Sequence, residues 1–148
     1  MRKGRRVSLD PGTVRIGVAV SDIDGILASP WPAVPSGDLA ALSAIVEEVE
    51  PVEIVVGLPM GLDGTEGSSA QRARDFARAI AKETSIPVRL VDERLSTVQA
   101  QRGFHDQGRS VRQSRDMIDS ASAAVVLQYA LDAERTHGQP PGEVHEDR

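Results

Sequence analysis

Strand-like and helix-like segments follow one another in an order that leaves few folds open to this chain. Residues 5–9 and 14–20 alternate or are rich in β-branched side chains on either side of an Asp-Pro-Gly turn, which predicts a β-hairpin. Residues 26–34 are apolar but contain two prolines, so they fit an edge strand or an irregular extension. Three antiparallel strands are therefore expected to open the fold.

The rest of the chain alternates between helical and strand-like patterns. We predict a helix over 38–50 with Asp38 as its N-cap, further helices over 69–84, 95–107 and 115–134, and strands over 52–56 and 87–91. Long polar segments lie between them at 57–69 and 108–114. Parallel strands joined by crossover helices and added to an antiparallel hairpin give an α/β fold. We expect a mixed five-stranded sheet, with antiparallel first three strands, then parallel strands, and helices on both faces.

A chain of 148 residues has the size of one globular domain. We place that domain at 1–135 and expect 136–148, which has two prolines and two glycines, to form a disordered tail. The longest apolar stretch, 121–131, is shorter than a membrane-spanning helix, and no secretory signal follows the basic start. We therefore expect a cytoplasmic protein without a membrane partner.

The residue types available for chemistry are restricted. The chain has no cysteine and three scattered histidines, which excludes disulfide scaffolds, thiol catalysis and zinc fingers. Any metal would be held by carboxylates, which favours Mg²⁺ or Mn²⁺.

Charge is unevenly distributed along the chain. The formal net charge of -5 argues against nonspecific coating of nucleic acid. Residues 38–66 contain seven acidic side chains and no Lys or Arg, whereas residues 89–115 contain six Arg against three acids. Cationic surface is thus expected around the second segment and at the basic first six residues.

Three acids stand where the predicted strands and helices would bring ligands together. Asp10 ends the first strand, Glu93 follows the last, and Asp119 lies near the start of a helix. Open α/β sheets bind ligands at the carboxyl ends of their strands. Each acid also has a structural interpretation, since Asp10 could form an Asx turn, Glu93 an ion pair, and Asp119 a favourable contact with a helix dipole. The spacing of the three acids alone does not decide between a ligand-binding role and a structural role.

Four ordered segments resemble the YqgF family, also called RuvX, over about residues 5–131. They are SLDPGTVRIGVAVSD (8–22), VVGLPMGLDGTEG (55–67), VDERLSTVQA (91–100) and IDSASAAVVLQYAL (118–131). Members of that family are described as pre-16S rRNA nucleases and as Holliday-junction-resolvase-like proteins. The resemblance implies an RNase H-like fold, in agreement with the element order above.

The same resemblance implies a metal-dependent nuclease. Asp10, Glu93 and Asp119 match the family's acids, so they are implied to be both catalytic and metal-binding, with Mg²⁺ or Mn²⁺ as two ions and water as nucleophile. Whether Asp22, Asp92 or Asp116 joins the metal shell stays open. Many members carry lysines before the last acid, where this chain has Arg115.

Arginines near the acids are candidates for binding the substrate. Phosphate oxygens are commonly bound by Arg side chains. The candidates are Arg15, Arg94, Arg109, Arg112 and Arg115. A structural ion pair is the competing interpretation for Arg15 and Arg94.

The expected partner is nucleic acid, bound by a monomer or homodimer. The resemblance implies 5′-end processing of pre-16S rRNA. A resolvase acting as a dimer on four-way DNA is one alternative, and a non-catalytic nucleic-acid-binding or regulatory protein is another. A phosphotransferase of the actin and hexokinase type is a third, although that fold normally needs two such domains.

Overall fold

The computed structural model describes residues 1–61, 63–94 and 118–145. Among these residues, the strands are β1 (Arg6–Pro11), β2 (Arg15–Ser21), β3 (Ala28–Pro35), β4 (Glu53–Leu58), β5 (Val88–Asp92) and β6 (Glu143–Val144). The helices are α1 (Leu39–Val49), α2 (Ser68–Thr84) and α3 (Ala121–His137). The predicted helix over 95–107 and the loop over 108–114 lie outside the described residues.

The strands form one mixed sheet in the order β3-β2-β1-β4-β5-β6. β1 pairs antiparallel with β2, and β2 pairs antiparallel with β3. β4 lies parallel to both β1 and β5. The predicted arrangement of an antiparallel opening followed by parallel strands is confirmed. The predicted count of five strands is wrong, since the described residues hold six.

The sixth strand comes from the segment expected to be a disordered tail. Within 136–148, α3 continues to His137 and β6 pairs antiparallel with β5. The His145 amide donates to the Val88 carbonyl at 2.7 Å, and Gly142 lies directly against Leu90. The strand was missed because two residues carry no periodic pattern, whereas an unpaired β5 edge offers backbone groups to any segment that reaches it.

Helices cover both faces of the sheet, as predicted. On one face, α1 and α2 bury apolar side chains such as Leu42 and Ile80 against inward residues of the strands. On the other face, Leu127 and its neighbours on α3 pack over Ala19, Val55 and Val91. Alternate residues of each central strand therefore belong to two separate cores. The residues on the α3 side of β1, β2, β4 and β5 are the ones that matter for the site.

Local signals place the helix ends. Asp38 is the N-cap of α1, where its carboxylate accepts a hydrogen bond from the Ala41 amide at 3.0 Å, as its position in the sequence predicted. The helix predicted from 115 is described from residue 118 onward, and α3 proper begins at Ala121. In the part of the chain that the structure describes, no helix combines the length and hydropathy needed to cross a membrane.

Candidate active site

The three predicted acids lie at the same edge of the sheet. Asp10 is the next-to-last residue of β1, and Glu93 directly follows β5. Because β1, β4 and β5 run parallel, their carboxyl ends meet at one edge. Asp119 reaches that edge from the other direction, two residues before α3 begins. Segments far apart in sequence thus contribute to one acidic edge.

Burial and mutual repulsion perturb these carboxyl groups. The pKa of Asp10 is raised to about 6, first by its burial and then by the negative charges of Glu93 and Asp119. Burial also raises the pKa of Glu93, whose side chain packs over Gly57 with its Cδ 3.7 Å from the place a Cβ would occupy. Glu93 and Asp119 are therefore close enough to oppose the ionisation of Asp10. A bound cation would relieve that repulsion.

The donor chemistry fits a hard divalent cation, but the carboxylates are not gathered around one point. Within residues 1–61, 63–94 and 118–145, no three His, Cys, Asp or Glu side chains form a ready-made cation site. Carboxylate oxygens are nevertheless the ligands that Mg²⁺ and Mn²⁺ prefer. Binding an ion between the three acids would require their side chains to turn toward it.

Arg15 forms an ion pair with Asp119, one of the three acids. Its Nε donates to Oδ2 of Asp119 at 2.7 Å, and both side chains are partly exposed. They border a cleft of about 600 Å³, which is also lined by Asp10, Ile118 and the turn at residues 12–14. The open cleft leaves the Arg15–Asp119 pair accessible from solvent.

Arg94 forms an ion pair with Asp92, the residue before Glu93. Its guanidinium donates to both oxygens of Asp92, with the shortest contact 2.6 Å, and it lowers the pKa of that carboxyl. A further contact of 3.3 Å joins Nη1 to the Gly61 carbonyl. Arg94 therefore ties the loop after β4 to the end of β5. The other three candidate arginines, Arg109, Arg112 and Arg115, lie outside the described residues.

The acidic side chains of the loop after β4 have local partners. Glu66 accepts two hydrogen bonds of 2.7 Å from Arg74 on α2. Asp63 accepts from the Thr65 hydroxyl at 2.7 Å and from its amide at 3.1 Å. The Arg74 pair offsets the negative charge of Glu66, and the Thr65 bonds fix the Asp63 side chain within its own loop.

Two of the three uncertain acids can be placed. Asp22 lies beyond the opposite end of β2, where its carboxylate accepts from the amides of Ile26 and Leu27. Asp92 lies beside Glu93 but is bonded to Arg94. Asp116 lies outside the described residues.

Sequence reasoning missed Ser120, which lies beside Gly17 at this edge. Ser120 is fully buried, and its hydroxyl bonds to β2 and β3 rather than capping α3. Gly17 contacts the backbone of Asp119. A serine directly after a candidate ligand, at the start of a buried helix, was the signal available in the sequence.

The mixed sheet and its acidic edge define an RNase H-like α/β fold of the RuvC type. Thermus thermophilus RuvC in complex with Holliday junction substrate is similar with a TM-score of 0.59 and 13% identity, covering 93% of this chain and 99% of that chain. Another Thermus thermophilus RuvC structure gives a TM-score of 0.57 at 15% identity, with the same coverage. These likenesses establish the fold.

The chain belongs to the RuvX family, described as "Holliday junction resolvase", whose model matches residues 4–133. Relatives named "Putative pre-16S rRNA nuclease" include one from Streptomyces coelicolor at 49% identity, covering 97% of this chain and 89% of the relative. Those from Leifsonia xyli subsp. xyli and Thermobifida fusca are 47% and 48% identical. They cover 100% and 99% of this chain, respectively, and each alignment spans 98% of the relative. The resemblance noted from the four motifs is confirmed.

Proposed function

We propose that this protein is a nuclease that hydrolyses phosphodiester bonds of structured RNA in the cytoplasm, in 5′-end processing of pre-16S rRNA. Asp10, Glu93 and Asp119 are its catalytic acids and hold Mg²⁺ or Mn²⁺, as two ions. The observation that carries the proposal is the placement of these three acids at one edge of the sheet, by the ends of β1 and β5 and by the segment before α3. The raised pKa of Asp10 supports it, since burial beside two other acids is unfavourable for stability and suitable for a cation.

The chain's own residues would supply the ligands and the approach for the substrate. Bound divalent ions would neutralise the scissile phosphate and activate water, so a Ser or Cys nucleophile is not required. Asp10 and Glu93 are presented by the ends of β1 and β5, and Asp119 by the segment preceding α3. The cleft beside Asp10 and Asp119 leaves room for a phosphate group at the acidic edge.

Arginines would bind the nucleic-acid backbone around this edge. In the free protein Arg15 is paired with Asp119, and Arg94 is paired with Asp92. Each arginine would orient its carboxylate and, when substrate binds, would replace part of that ion pair by a hydrogen bond to a phosphate oxygen. We assign backbone contacts also to Arg109, Arg112 and Arg115, because their positions follow Glu93 and precede Asp119 in the chain.

RNA is favoured over junction DNA by the names of the close relatives, which cover almost the whole chain. The fold of RuvC bound to a Holliday junction supports a second candidate, resolution of four-way DNA. Symmetric cutting of a junction requires two active sites, and therefore a homodimer. A monomer would suffice for RNA.

Cleavage of two labelled substrates tests the proposal. A precursor 16S 5′-leader RNA and a four-way DNA junction are incubated with wild type, Asp10→Asn and Asp75→Asn, in Mg²⁺, in Mn²⁺ and in EDTA. Asp75 is an exposed aspartate on α2 and serves as the matched control. We expect cleavage of the RNA by wild type and Asp75→Asn, a loss of about 1,000-fold or more in Asp10→Asn, and no cleavage in EDTA.

Each other outcome assigns a different activity. Preferential cutting of the junction would replace RNA processing by resolution. Binding of either substrate without metal-dependent cleavage would refute the nuclease and leave a nucleic-acid-binding protein.

A further inference from the structure

The Ser120 hydroxyl joins the start of α3 to two strands of the sheet. It accepts a hydrogen bond from the Val18 amide of β2 at 3.0 Å and donates to the Trp31 carbonyl of β3 at 2.5 Å. Val18 and Trp31 are register partners, and the pairing of β2 with β3 shifts between Ile16 and Val18. The hydroxyl therefore pairs with one backbone group of each strand at the point where the regular pairing of β2 with β3 is interrupted.

Gly17 lies directly against the backbone of Asp119, the residue before Ser120. A Cβ on Gly17 would stand 2.1 Å from the carbonyl oxygen of Asp119 and 3.2 Å from Cα of Ser120. Contacts below 3.0 Å are not tolerated, so only glycine permits this approach. Gly17 is also the register partner of Asp10 in β1. Gly17 of β2 therefore lies between Asp10 and Asp119, two acids that are 109 positions apart in the sequence.

We propose that Gly17 and Ser120 are positioning residues that fix Asp119 beside Asp10 for metal binding. Gly17 sets how closely the Asp119 backbone approaches the sheet. Ser120 sets where along β2 the segment is anchored. The inference rests on the proposed function, because it assigns Asp119 as a metal ligand.

Gly17 and Ser120 position the backbone of Asp119 and make no use of its side chain. Ser120 is completely buried, so its hydroxyl has no solvent alternative to these two bonds. Asp119 itself is partly exposed, and its carboxylate contacts Arg15. Removing the hydroxyl would leave the Val18 amide and the Trp31 carbonyl unpaired and would release the segment that carries Asp119. Loss of a residue that orients a metal ligand typically weakens metal affinity by about 10-fold to 100-fold.

Mn²⁺ binding to the full chain, measured by electron paramagnetic resonance without nucleic acid, tests this role. We expect Ser120→Ala and Gly17→Ala each to raise the Kd for Mn²⁺ by about 10-fold or more. Ser122→Ala removes a hydroxyl two positions further along the same helix and should bind as wild type does. Val126→Ala truncates a buried side chain of α3 and controls for a general loss of stability.

Cleavage kinetics give a second readout. With the RNA substrate at subsaturating Mn²⁺, Ser120→Ala should lower kcat while KM for RNA stays within about twofold, and added Mn²⁺ should restore kcat. Wild-type affinity for Mn²⁺ in Ser120→Ala would overturn the proposal. An equal loss of affinity in Val126→Ala would overturn it as well, since the effect would then follow stability.

A metal-free measurement separates this proposal from the function on which it rests. By nuclear magnetic resonance in EDTA, Ser120→Ala should speed amide exchange at Val18 and shift the Asp119 amide resonance, whereas Ser122→Ala should leave both unchanged. If wild type neither binds Mn²⁺ nor cleaves RNA, the proposed function has failed, and so has the metal-positioning role. Altered Val18 and Asp119 amides would then show that Gly17 and Ser120 anchor the segment for another purpose, and unaltered amides would refute the anchoring too.

Discussion

At the scale of single residues, Asp10 is in an environment that opposes its ionisation. Burial and the charges of Glu93 and Asp119 raise its pKa to about 6, above the 3.8 of an unperturbed aspartate. A carboxyl group with a raised pKa binds protons more tightly in the folded state than in the unfolded state. The contribution of Asp10 to folding stability therefore falls as the pH rises between about 4 and 6, and the penalty persists above that range.

Asp10→Asn should remove this penalty. In EDTA at pH 8, we expect the variant to be more stable than wild type by about 1–3 kcal/mol, because a neutral amide is not repelled by the other two acids. The difference should shrink below pH 6 and vanish only when the pH is well below 3.8, where Asp10 is protonated in both states. Urea unfolding across this pH range measures it, with Asp75→Asn as the control. A variant no more stable than wild type at pH 8 would contradict the electrostatic account of the site.

At the scale of secondary-structure elements, the short β6 depends on two glycine-permitted features. Gly142 has a φ of +79°, and a Cβ there would stand 2.1 Å from the Leu90 carbonyl oxygen. Arg74 on α2 also forms an ion pair with Glu143 at 2.8 Å. This ion pair holds β6 in addition to its backbone pairing with β5. The strand pairs with the same β5 whose end carries Glu93.

Gly142→Ala should detach β6 and leave the rest of the sheet in place. Both the clash with Leu90 and the left-handed φ oppose a side chain at this position. We expect amide exchange at His145 to accelerate at least about tenfold as its bond to Val88 is lost, while exchange at Ile54 between β4 and β5 stays unchanged. Gly67→Ala is the control, since a Cβ there meets nothing within 4 Å. Unchanged exchange at His145 would show that β6 does not need the close approach at Gly142.

At the scale of the whole molecule, a buried ionic cluster at the opposite end of the sheet joins four distant parts of the chain. Glu134 of α3 binds Arg2 at 2.8 Å and Arg6 of β1 at 3.2 Å. Glu53 of β4 binds Arg2 at 3.2 Å and Arg89 of β5 at 3.0 Å. Arg6, Glu53 and Glu134 are each at most 3% exposed. The N-terminal segment, the sheet and α3 are thereby locked together away from the acidic edge.

Glu134→Gln should destabilise the protein by about 2–4 kcal/mol at neutral pH, because removing one member of a buried pair leaves Arg6 without its countercharge. Hydrogen bonds from Arg2 and the nearby arginine charges lower the pKa of Glu134 to about 2. Its contribution to stability is therefore complete above about pH 4.5 and is lost as the pH falls toward 2.

Denaturant unfolding between pH 3 and 8 checks this prediction. The difference between wild type and Glu134→Gln should narrow below pH 4.5. Asp132→Asn disrupts an exposed pair on the same helix and should change stability by less than about 1 kcal/mol. A constant difference across the whole range would contradict the role of the Glu134 charge and point instead to the acceptor oxygen that glutamine lacks.

Local patterns were sufficient to predict much of this molecule. Periodicity and turn residues predicted the order of strands and helices, the antiparallel opening and the N-cap at Asp38. These features depend on neighbours a few residues away, so a linear sequence contains them. Four motifs also identified the family and, by resemblance, singled out Asp10, Glu93 and Asp119. Their roles as metal ligands remain a prediction for the experiments above.

Other features exist only because the chain is folded. β6 forms because an unpaired edge of β5 lies within reach of the segment after α3. Gly17 meets Asp119, and Ser120 bridges Val18 and Trp31, across about 90 to 100 positions of sequence. Residue patterns along the chain specify the order of the longer strands and helices and the acids that are available. Tertiary structure decided which backbone atoms come within contact distance, because hydrogen bonds and steric exclusion act over a few ångströms of space regardless of separation along the chain.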